Sequence, residues 1–333
     1  MLEHGGRLLA AAQAHNIPVE RWVDLSTGIN PETYPIPAID PACWNRLPED
    51  NDGLETTAAA YYGNDRLLAL SGSQAAIQTL PLFFAPQVIA CVAPIYEEHP
   101  HAWERAGHRV RRLPTLARAL AAATPLVLIC NPNNPTGNAT PRDAVVDAAE
   151  QLRRRGGWLI VDEAFGDASP QDNVVDLAGS EAAPNLIVLR SLGKFFGLAG
   201  ARVGFVFGVA EKLDALREKL GPWPLSHPAR FVARHALADT AWQDGARQRL
   251  ETASIRLEQA LAPLGEVQRT ALFCTVKTAQ ASALAEHFAR HAILVRRFDA
   301  HGLIRFGLPG NESEWERLDA ALAQLTAAAL TLS

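Results

Sequence analysis

Strand-like apolar runs alternate with helical patterns between residues 67 and 207. Six such runs stand at residues 67–70, 88–92, 126–130, 158–161, 186–189 and 203–207. Short continuous apolar runs separated by helical segments are typical of a mostly parallel sheet with helices on its faces. The chain has 333 residues, of which 48% are hydrophobic, so it can bury the large core that such a sheet needs. We therefore predict an α/β fold.

The organisation changes after the proline-rich segment GPWPLSHP at residues 221–228. Beyond it the sequence has long helices rich in Ala, Leu, Arg and Glu, short strands around Phe273 and Leu294, and a final helix. We predict a large domain over residues 32–225. Residues 1–31 and 226–333 are predicted to form a smaller α+β domain with an N-terminal arm.

Composition and charge exclude several functions. The formal net charge of −5 provides no basic surface for nucleic acid. No apolar stretch is long enough to span a membrane and no signal peptide is visible, so we expect a cytoplasmic protein. The four cysteines lack CxxC spacing, and His99, His101 and His108 stand without a second set of ligands nearby. We expect free thiols, surface histidines and no metal site.

The segment RSLGKFFGLAGARVG at residues 190–204 brings a hydroxyl, an amine and a guanidinium together in Ser191, Lys194 and Arg202. A lysine can form a Schiff base with an aldehyde, and the other two groups are hydrogen-bond donors for a phosphate. Pyridoxal phosphate carries both an aldehyde and a phosphate. The alternative is a solvated Lys and Arg on a Gly-rich turn.

Polar and aromatic residues follow three of the predicted strands. Tyr96 lies beyond residues 88–92, Asn134 in NPNNPTG follows residues 126–130, and Asp162 follows residues 158–161. Open α/β sheets bind ligands at the carboxyl ends of parallel strands. There Asn134 could donate to a cofactor ring oxygen, Asp162 could pair with a pyridine nitrogen, and Tyr96 could stack on the ring. A turn-capping carboxylate and a packed tyrosine are the alternatives.

Upstream, a Gly-Ser turn precedes a predicted helix that begins near Ser73. Backbone N–H groups at a helix start bind anions, so this turn is a further candidate for contact with a phosphate.

Together, NPNNPTG, VDEAF and SLGK followed eight residues later by Arg202 resemble the fold-type I pyridoxal-phosphate enzymes, the aspartate aminotransferase superfamily. The resemblance covers nearly the whole chain. It implies that Lys194, Asp162 and Tyr96 are catalytic and that the protein is a homodimer. It also implies that pyridoxal 5'-phosphate is bound by Ser73, Gln74, Tyr96, Asn134, Asp162, Ser191, Lys194 and Arg202.

The beginning of the chain narrows this resemblance. HGGRL, beginning at His4, and DLSTGINP at residues 24–31 are similar to a branch of the superfamily that acts on a phosphorylated amino acid. Its members decarboxylate O-phospho-L-threonine to (R)-1-amino-2-propanol phosphate in cobalamin synthesis. The resemblance implies that the substrate is bound by His4, Gly5, Asn30, Asn134, Arg296 and Arg305. In it, His4, Asn30 and Arg296 hold the phosphate and Arg305 holds the carboxylate.

Two residues depart from the superfamily pattern. Phe165 stands where a tyrosine usually donates to the cofactor ring oxygen, and Leu47 stands where a tyrosine usually reaches the neighbouring subunit's cofactor phosphate. Tyr61 and Tyr62 are candidate substitutes for the second tyrosine. Phenylalanine cannot donate, which agrees with a decarboxylase. A histidinol-phosphate or related aminotransferase remains an alternative, as does a non-catalytic binding or scaffold protein that retains the fold.

Overall fold

The computed structural model describes residues 4–330, with side chains described for residues 4–325. Its helices are α1 Leu8–His15, α2 Ala42–Asn45, α3 Leu54–Tyr62, α4 Ser73–Thr79, α5 Glu98–Arg105, α6 Leu116–Ala121, α7 Arg142–Arg153, α8 Ala210–Leu220, α9 His227–Ala238, α10 Thr240–Leu261, α11 Ala281–Arg290 and α12 Glu312–Leu330. Its strands are β1 Val23–Asp24, β2 Leu67–Leu70, β3 Val88–Val92, β4 Arg109–Leu113, β5 Leu126–Cys130, β6 Trp158–Asp162, β7 Leu186–Ser191, β8 Gly204–Phe207, β9 Glu266–Arg269, β10 Phe273–Lys277, β11 Ile293–Leu294, β12 Arg296–Phe298 and β13 Leu303–Gly307.

A seven-stranded sheet carries the candidate site, with strand order β2-β8-β7-β6-β5-β3-β4. Strand β8 is antiparallel to both of its neighbours, and every other pairing is parallel. All residues of β2, β5 and β8 are buried. Strands buried on both faces are continuously apolar rather than alternating, which is why these runs are visible in the sequence. The predicted α/β class with a mostly parallel sheet is confirmed.

Strand β4 was not among the predicted strands. Its sequence is RVRRL, and its residues are exposed or half-buried. It pairs only with β3, at the edge of the sheet. An edge strand needs no apolar outer face, and its charged side chains discourage pairing with another chain. Hydrophobic periodicity therefore could not identify this strand.

The chain divides into two compact units. The large unit contains Thr33–Asn134 and Asn138–Gly245, and the small unit contains the residues up to Glu32, Pro135–Gly137 and those from Ala246 on. The large unit extends beyond residue 225 because α9 packs against α3 and the buried Arg230 binds Asp52 and Glu55. The predicted domains, 32–225 with 1–31 and 226–333, stay a prediction.

The small unit has its own sheets. Strands β12, β13, β10 and β9 form an antiparallel sheet in that order, and β1 pairs in parallel with β11. Arg296 of β12 lies directly opposite Arg305 of β13. The sheet therefore places two predicted substrate-binding arginines side by side. Within residues 4–330, no helix has the length and apolarity needed to cross a membrane.

Candidate active site

The predicted cofactor residues of the large unit follow neighbouring strands. Cys130 at the end of β5 pairs in register with Asp162 at the end of β6, and Asp162 pairs with Leu189 of β7. Ser191 ends β7, and Lys194 follows it by three residues. Parallel pairing thus brings groups from separate parts of the sequence together at the carboxyl ends of the strands.

Asp162 is fixed by two partners. Its Oδ2 lies 2.7 Å from Nε2 of His99, and its Oδ1 accepts a hydrogen bond of 3.0 Å from the backbone N–H of Ala164. The side chains of His99 and Asp162 are both buried. Two contacts on one carboxylate hold its orientation. A carboxylate that pairs with a ligand atom needs such a fixed orientation.

The burial of His99 contradicts the predicted surface location of the histidines. His108 is buried as well, with Nε2 at 2.9 Å from the carbonyl oxygen of Pro81, whereas His101 is exposed as predicted. His99 is also a site residue that the sequence reasoning missed. Tyr96 lies just before α5, and the backbone N–H of His99 donates to the carbonyl oxygen of Tyr96 at 3.0 Å, so one turn joins the two residues. Their spacing of three was the available signal.

Tyr96 is held between His99 and Gln74. Its ring centroid lies 6.1 Å from that of His99 in an edge-on arrangement, and its hydroxyl donates to Oε1 of Gln74 at 3.4 Å. Burial raises the pKa of Tyr96 to about 12, with a further contribution from the charge of Glu98. Nε2 of Gln74 donates to Glu98 at 2.9 Å. Because the Gln74 side chain is engaged in this way, any contact of Gln74 with a phosphate would use its backbone N–H.

The predicted phosphate-binding residues lie close together in space, although they are far apart in the sequence. Gly72 has φ +75°, and a Cβ atom at this position would lie 2.6 Å from Nη2 of Arg202. Only glycine therefore allows the guanidinium to lie against the turn that precedes α4. Ser191 lies opposite Gly204 in the β7–β8 register, and a Cβ atom at Gly204 would collide with the backbone nitrogen of Ser73. Hydroxyl, guanidinium and helix-start N–H groups thus occur together, and these are the donors that a phosphate needs.

Lys194 lies beside an apolar ring. Its Nζ is 5.6 Å from the ring centroid of Phe165, which is buried. The ring places no hydroxyl next to the amine. Asn134 is connected to this region through Cys130, because backbone groups of Asn134 and Tyr96 both approach the Cys130 thiol.

A buried ion cluster stands next to these residues and was not predicted. Arg190, 1% exposed, donates to Oε2 of Glu163 at 2.8 Å and also to Asp167, and its guanidinium lies 4.9 Å from the ring centroid of Tyr62. Burial raises the pKa of Glu163 to about 7, although Arg190 opposes the shift. Tyr62 is buried, so it cannot replace the intersubunit tyrosine. Tyr61, half-buried, stays a candidate.

The predicted substrate residues of the small unit form a second group. The N–H of Gly6 donates to Oγ of Ser26 at 2.7 Å, and Nη2 of Arg305 donates to the Ser26 carbonyl at 2.9 Å. A cavity of about 450 Å³ is lined by residues that include His4, Gly5, Ser26 and Arg296. Ser26 therefore connects the N-terminal segment to the strand that carries Arg305.

Phe298 and Asn30 also belong to this group. The guanidinium carbons of Arg296 and Arg305 lie 5.1 and 5.7 Å from the ring centroid of Phe298. Asn30 is buried, and its Oδ1 accepts from the backbone N–H of Glu32 at 3.0 Å.

The Aminotransferase class I and II family model matches residues 45–322, so the chain belongs to this family. The chain is 47% identical over 325 residues to the threonine-phosphate decarboxylase of Pseudomonas aeruginosa, with 97% of each chain covered. It is 40% identical over 330 residues to the threonine-phosphate decarboxylase of Sinorhizobium sp., with 97% of this chain and 98% of the relative covered. The predicted membership of the superfamily and of this branch is confirmed.

The fold comparison agrees with the sequence comparison. The crystal structure of histidinol-phosphate aminotransferase from Sinorhizobium meliloti in complex with pyridoxal-5'-phosphate superposes with a TM-score of 0.82. The two chains are 19% identical, and the match covers 98% of this chain and 99% of that one. At this identity the similarity supports the fold, and the function rests on the sequence relatives.

Proposed function

We propose that this chain is a pyridoxal-phosphate-dependent carboxy-lyase that converts O-phospho-L-threonine to (R)-1-amino-2-propanol phosphate in cobalamin synthesis. The observation that carries the proposal is the 47% identity to a threonine-phosphate decarboxylase over 97% of both chains. The donor set supports it, because a lysine, a fixed carboxylate and a phosphate-binding group occur at one sheet edge.

The residues of the large unit fit pyridoxal phosphate. Ser191, Arg202 and the N–H groups at the start of α4 would hold its phosphate, and Lys194 would bind its aldehyde carbon. Asp162, oriented by His99, would keep the pyridine nitrogen protonated. When bound, this cofactor supplies a conjugated ring that accepts the electron pair of a bond broken at the substrate Cα.

The small unit offers groups for a substrate with two anionic ends. Arg296 and Arg305 are neighbouring cations on β12 and β13, and like charges in direct register repel each other. A substrate with a phosphate and a carboxylate provides one anion for each guanidinium and offsets this repulsion. We assign the phosphate to Arg296, His4 and Asn30, and the carboxylate to Arg305.

The carboxylate assignment bears on the choice of reaction. If Arg305 holds the substrate carboxylate perpendicular to the ring of the bound cofactor, cleavage of the bond between Cα and the carboxyl carbon would be favoured over loss of the Cα proton. After loss of carbon dioxide, the ammonium form of Lys194 would deliver a proton to Cα in place of the carboxyl group, and Nζ would be left as the neutral amine.

We further propose that the protein acts as a homodimer, as the family resemblance implies. Three large apolar residues of the segment 36–47 are exposed in the single chain, namely Ile36 at 58%, Trp44 at 72% and Leu47 at 62%. Exposed apolar side chains grouped in one short segment are typical of a surface that another chain covers. The predicted cytoplasmic location stays a prediction.

Product analysis tests the reaction. Purified enzyme with bound cofactor is incubated with O-phospho-L-threonine labelled at the carboxyl carbon, without a keto acid. We expect labelled carbon dioxide and aminopropanol phosphate in equal amounts. Amino transfer from histidinol phosphate to 2-oxoglutarate, without carbon dioxide release from phosphothreonine, would support the aminotransferase instead. Protein that takes up no cofactor would support the scaffold alternative.

Replacement of the lysine tests the mechanism. We expect Lys194→Ala to lose at least about 10³-fold in turnover, since both covalent binding and proton delivery depend on Nζ. It should also lack the yellow absorbance of lysine-bound cofactor. Lys277→Ala, an exposed lysine of β10, is the matched control. Full turnover by Lys194→Ala would contradict the proposed mechanism.

A further inference from the structure

Three buried donor atoms of different chemical type converge at the carboxyl ends of β5 and β6. A ring nitrogen of His99, Sγ of Cys130 and a carboxylate oxygen of Asp162 all lie within 4.8 Å of one another. They come from α5, β5 and β6, so the fold rather than local sequence brings them together. This explains why the spacing of cysteines and histidines predicted no metal site.

The donor set suits one class of cation. Imidazole nitrogen, thiolate sulfur and carboxylate oxygen are the three ligand types of zinc sites, and three protein ligands leave a fourth position open. Hard cations such as Mg²⁺ prefer sites made only of oxygen. The tightest pair, Nε2 of His99 and Oδ2 of Asp162 at 2.7 Å, must open slightly to admit an ion between them.

Charge balance favours the same class. A thiolate, a carboxylate and a neutral imidazole together neutralise a divalent cation. This matters because the exposed fractions are 1% for His99, 6% for Cys130 and 5% for Asp162, and an unbalanced charge in such surroundings is costly.

We propose that in the cofactor-free enzyme His99, Cys130 and Asp162 bind Zn²⁺, and that this ion competes with the cofactor for Asp162. The inference rests on the proposed function in one respect, the pairing of Asp162 with the cofactor ring. The Cys130 S–H bond breaks, an S–Zn bond forms, and the thiol proton goes to solvent, so no oxidant or reductant is required. Zn²⁺ and the cofactor then exclude each other.

Binding of Zn²⁺ by a thiol releases the thiol proton, so binding at this site weakens as the pH falls.

Competition during cofactor loading tests the inference. Enzyme stripped of cofactor is mixed with pyridoxal phosphate at increasing Zn²⁺, and the absorbance of lysine-bound cofactor is followed. We expect Zn²⁺ to suppress loading, excess cofactor to relieve the suppression, and Mg²⁺ to have no effect. Co²⁺ in place of Zn²⁺ should give a sulfur-to-cobalt charge-transfer absorbance that disappears when cofactor binds.

Cysteine variants identify the ligand. Cys130→Ala and Cys130→Ser should raise the Zn²⁺ concentration for half-suppression at least about tenfold. Cys91→Ala is the matched control, since Cys91 is also buried and lies on the adjacent strand β3. Each variant is compared with its own loading in the absence of Zn²⁺, which separates a folding defect from a lost ligand.

Two results would overturn the inference: equal Zn²⁺ sensitivity of Cys130→Ala and the unmodified enzyme, or loading that Zn²⁺ does not affect. Chelation of Zn²⁺ by the cofactor in solution would act equally on all variants and counts against the site. Failure of the proposed function is seen separately, as absent loading or absent carbon dioxide release without any Zn²⁺.

Discussion

At the scale of single residues, Phe165 is an apolar neighbour of the Lys194 amine. Its buried ring lies 5.6 Å from Nζ of Lys194 and carries no hydroxyl. The family resemblance implies that Phe165→Tyr restores a donor to the ionised ring oxygen of the cofactor. A hydrogen bond to a charged group contributes about 1.5 to 3 kcal/mol, so the pH midpoint for protonation of the lysine-bound cofactor should fall by about 1 to 2 units.

An absorbance titration of the purified variant against pH measures this midpoint. Phe165→Leu is the control, because it changes the shape of the side chain without adding a donor. Equal shifts in the two variants would mean that packing, and not the hydroxyl, controls the midpoint.

The residues to which we assign covalent or charge-pairing roles stand in sequence motifs, whereas the residues that support them do not. Lys194, Asp162 and Arg202 stand in motifs whose spacing is local, and strand ends predict where they lie. The contact between His99 and Asp162 joins residues 63 positions apart and depends on how α5 packs on the sheet. No local pattern reports such packing, so His99 was assigned to the surface.

At the scale of elements, the cluster of Arg190, Glu163 and Asp167 connects β7 to the loop after β6. It places two carboxylates against one buried guanidinium. The raised pKa of Glu163, about 7 against an ordinary 4.5, means that the folded state binds a proton that the unfolded state releases. Its stabilising contribution is fully present below about pH 4.5 and is lost as the pH rises through 7.

The variant Glu163→Gln should remove this pH dependence. The unmodified enzyme is expected to lose on the order of 2 kcal/mol of unfolding free energy, relative to Glu163→Gln, between pH 5 and pH 8. Glutamine also costs a roughly constant amount, because Oε1 of Glu163 accepts from the N–H of Val174 and an amide cannot accept at both positions.

Urea unfolding at several pH values measures the difference, with the exposed Glu181→Gln as control. A constant difference between the enzyme and Glu163→Gln across this pH range would contradict the expected proton uptake.

Some strands could be predicted from the sequence and others could not. The central buried strands β5, β6 and β7 were predicted to within two residues, since burial on both faces makes them continuously apolar. The short strands β9, β12 and β13 were not predicted, and their positions are defined by antiparallel register in the small unit. That register also makes Arg296 and Arg305 neighbours, which their separate motifs did not indicate.

At the scale of the whole molecule, ion pairs within the large unit join residues that are far apart in the sequence. Arg230, 2% exposed, donates to Asp52 at 2.7 Å and to Glu55 at 2.6 Å. These bonds attach α9 to the start of α3, directly after the segment that exposes Trp44 and Leu47. The C-terminal end of the segment 36–47 is therefore held in place by α3 and α9. A surface that is held in place loses less entropy when it binds another copy of the chain.

Dimer formation is the prediction that belongs to this scale. We expect the enzyme to sediment with twice the 36.0 kDa mass of the chain. Removal of a large apolar contact from an interface costs about 2 kcal/mol, so Trp44→Ser should raise the dimer dissociation constant about 30-fold. Leu9→Ser, with Leu9 69% exposed on α1, is the matched control. Sedimentation equilibrium measures both, and a monomeric enzyme, or equal effects of the two variants, would show that the segment 36–47 is not the dimer surface.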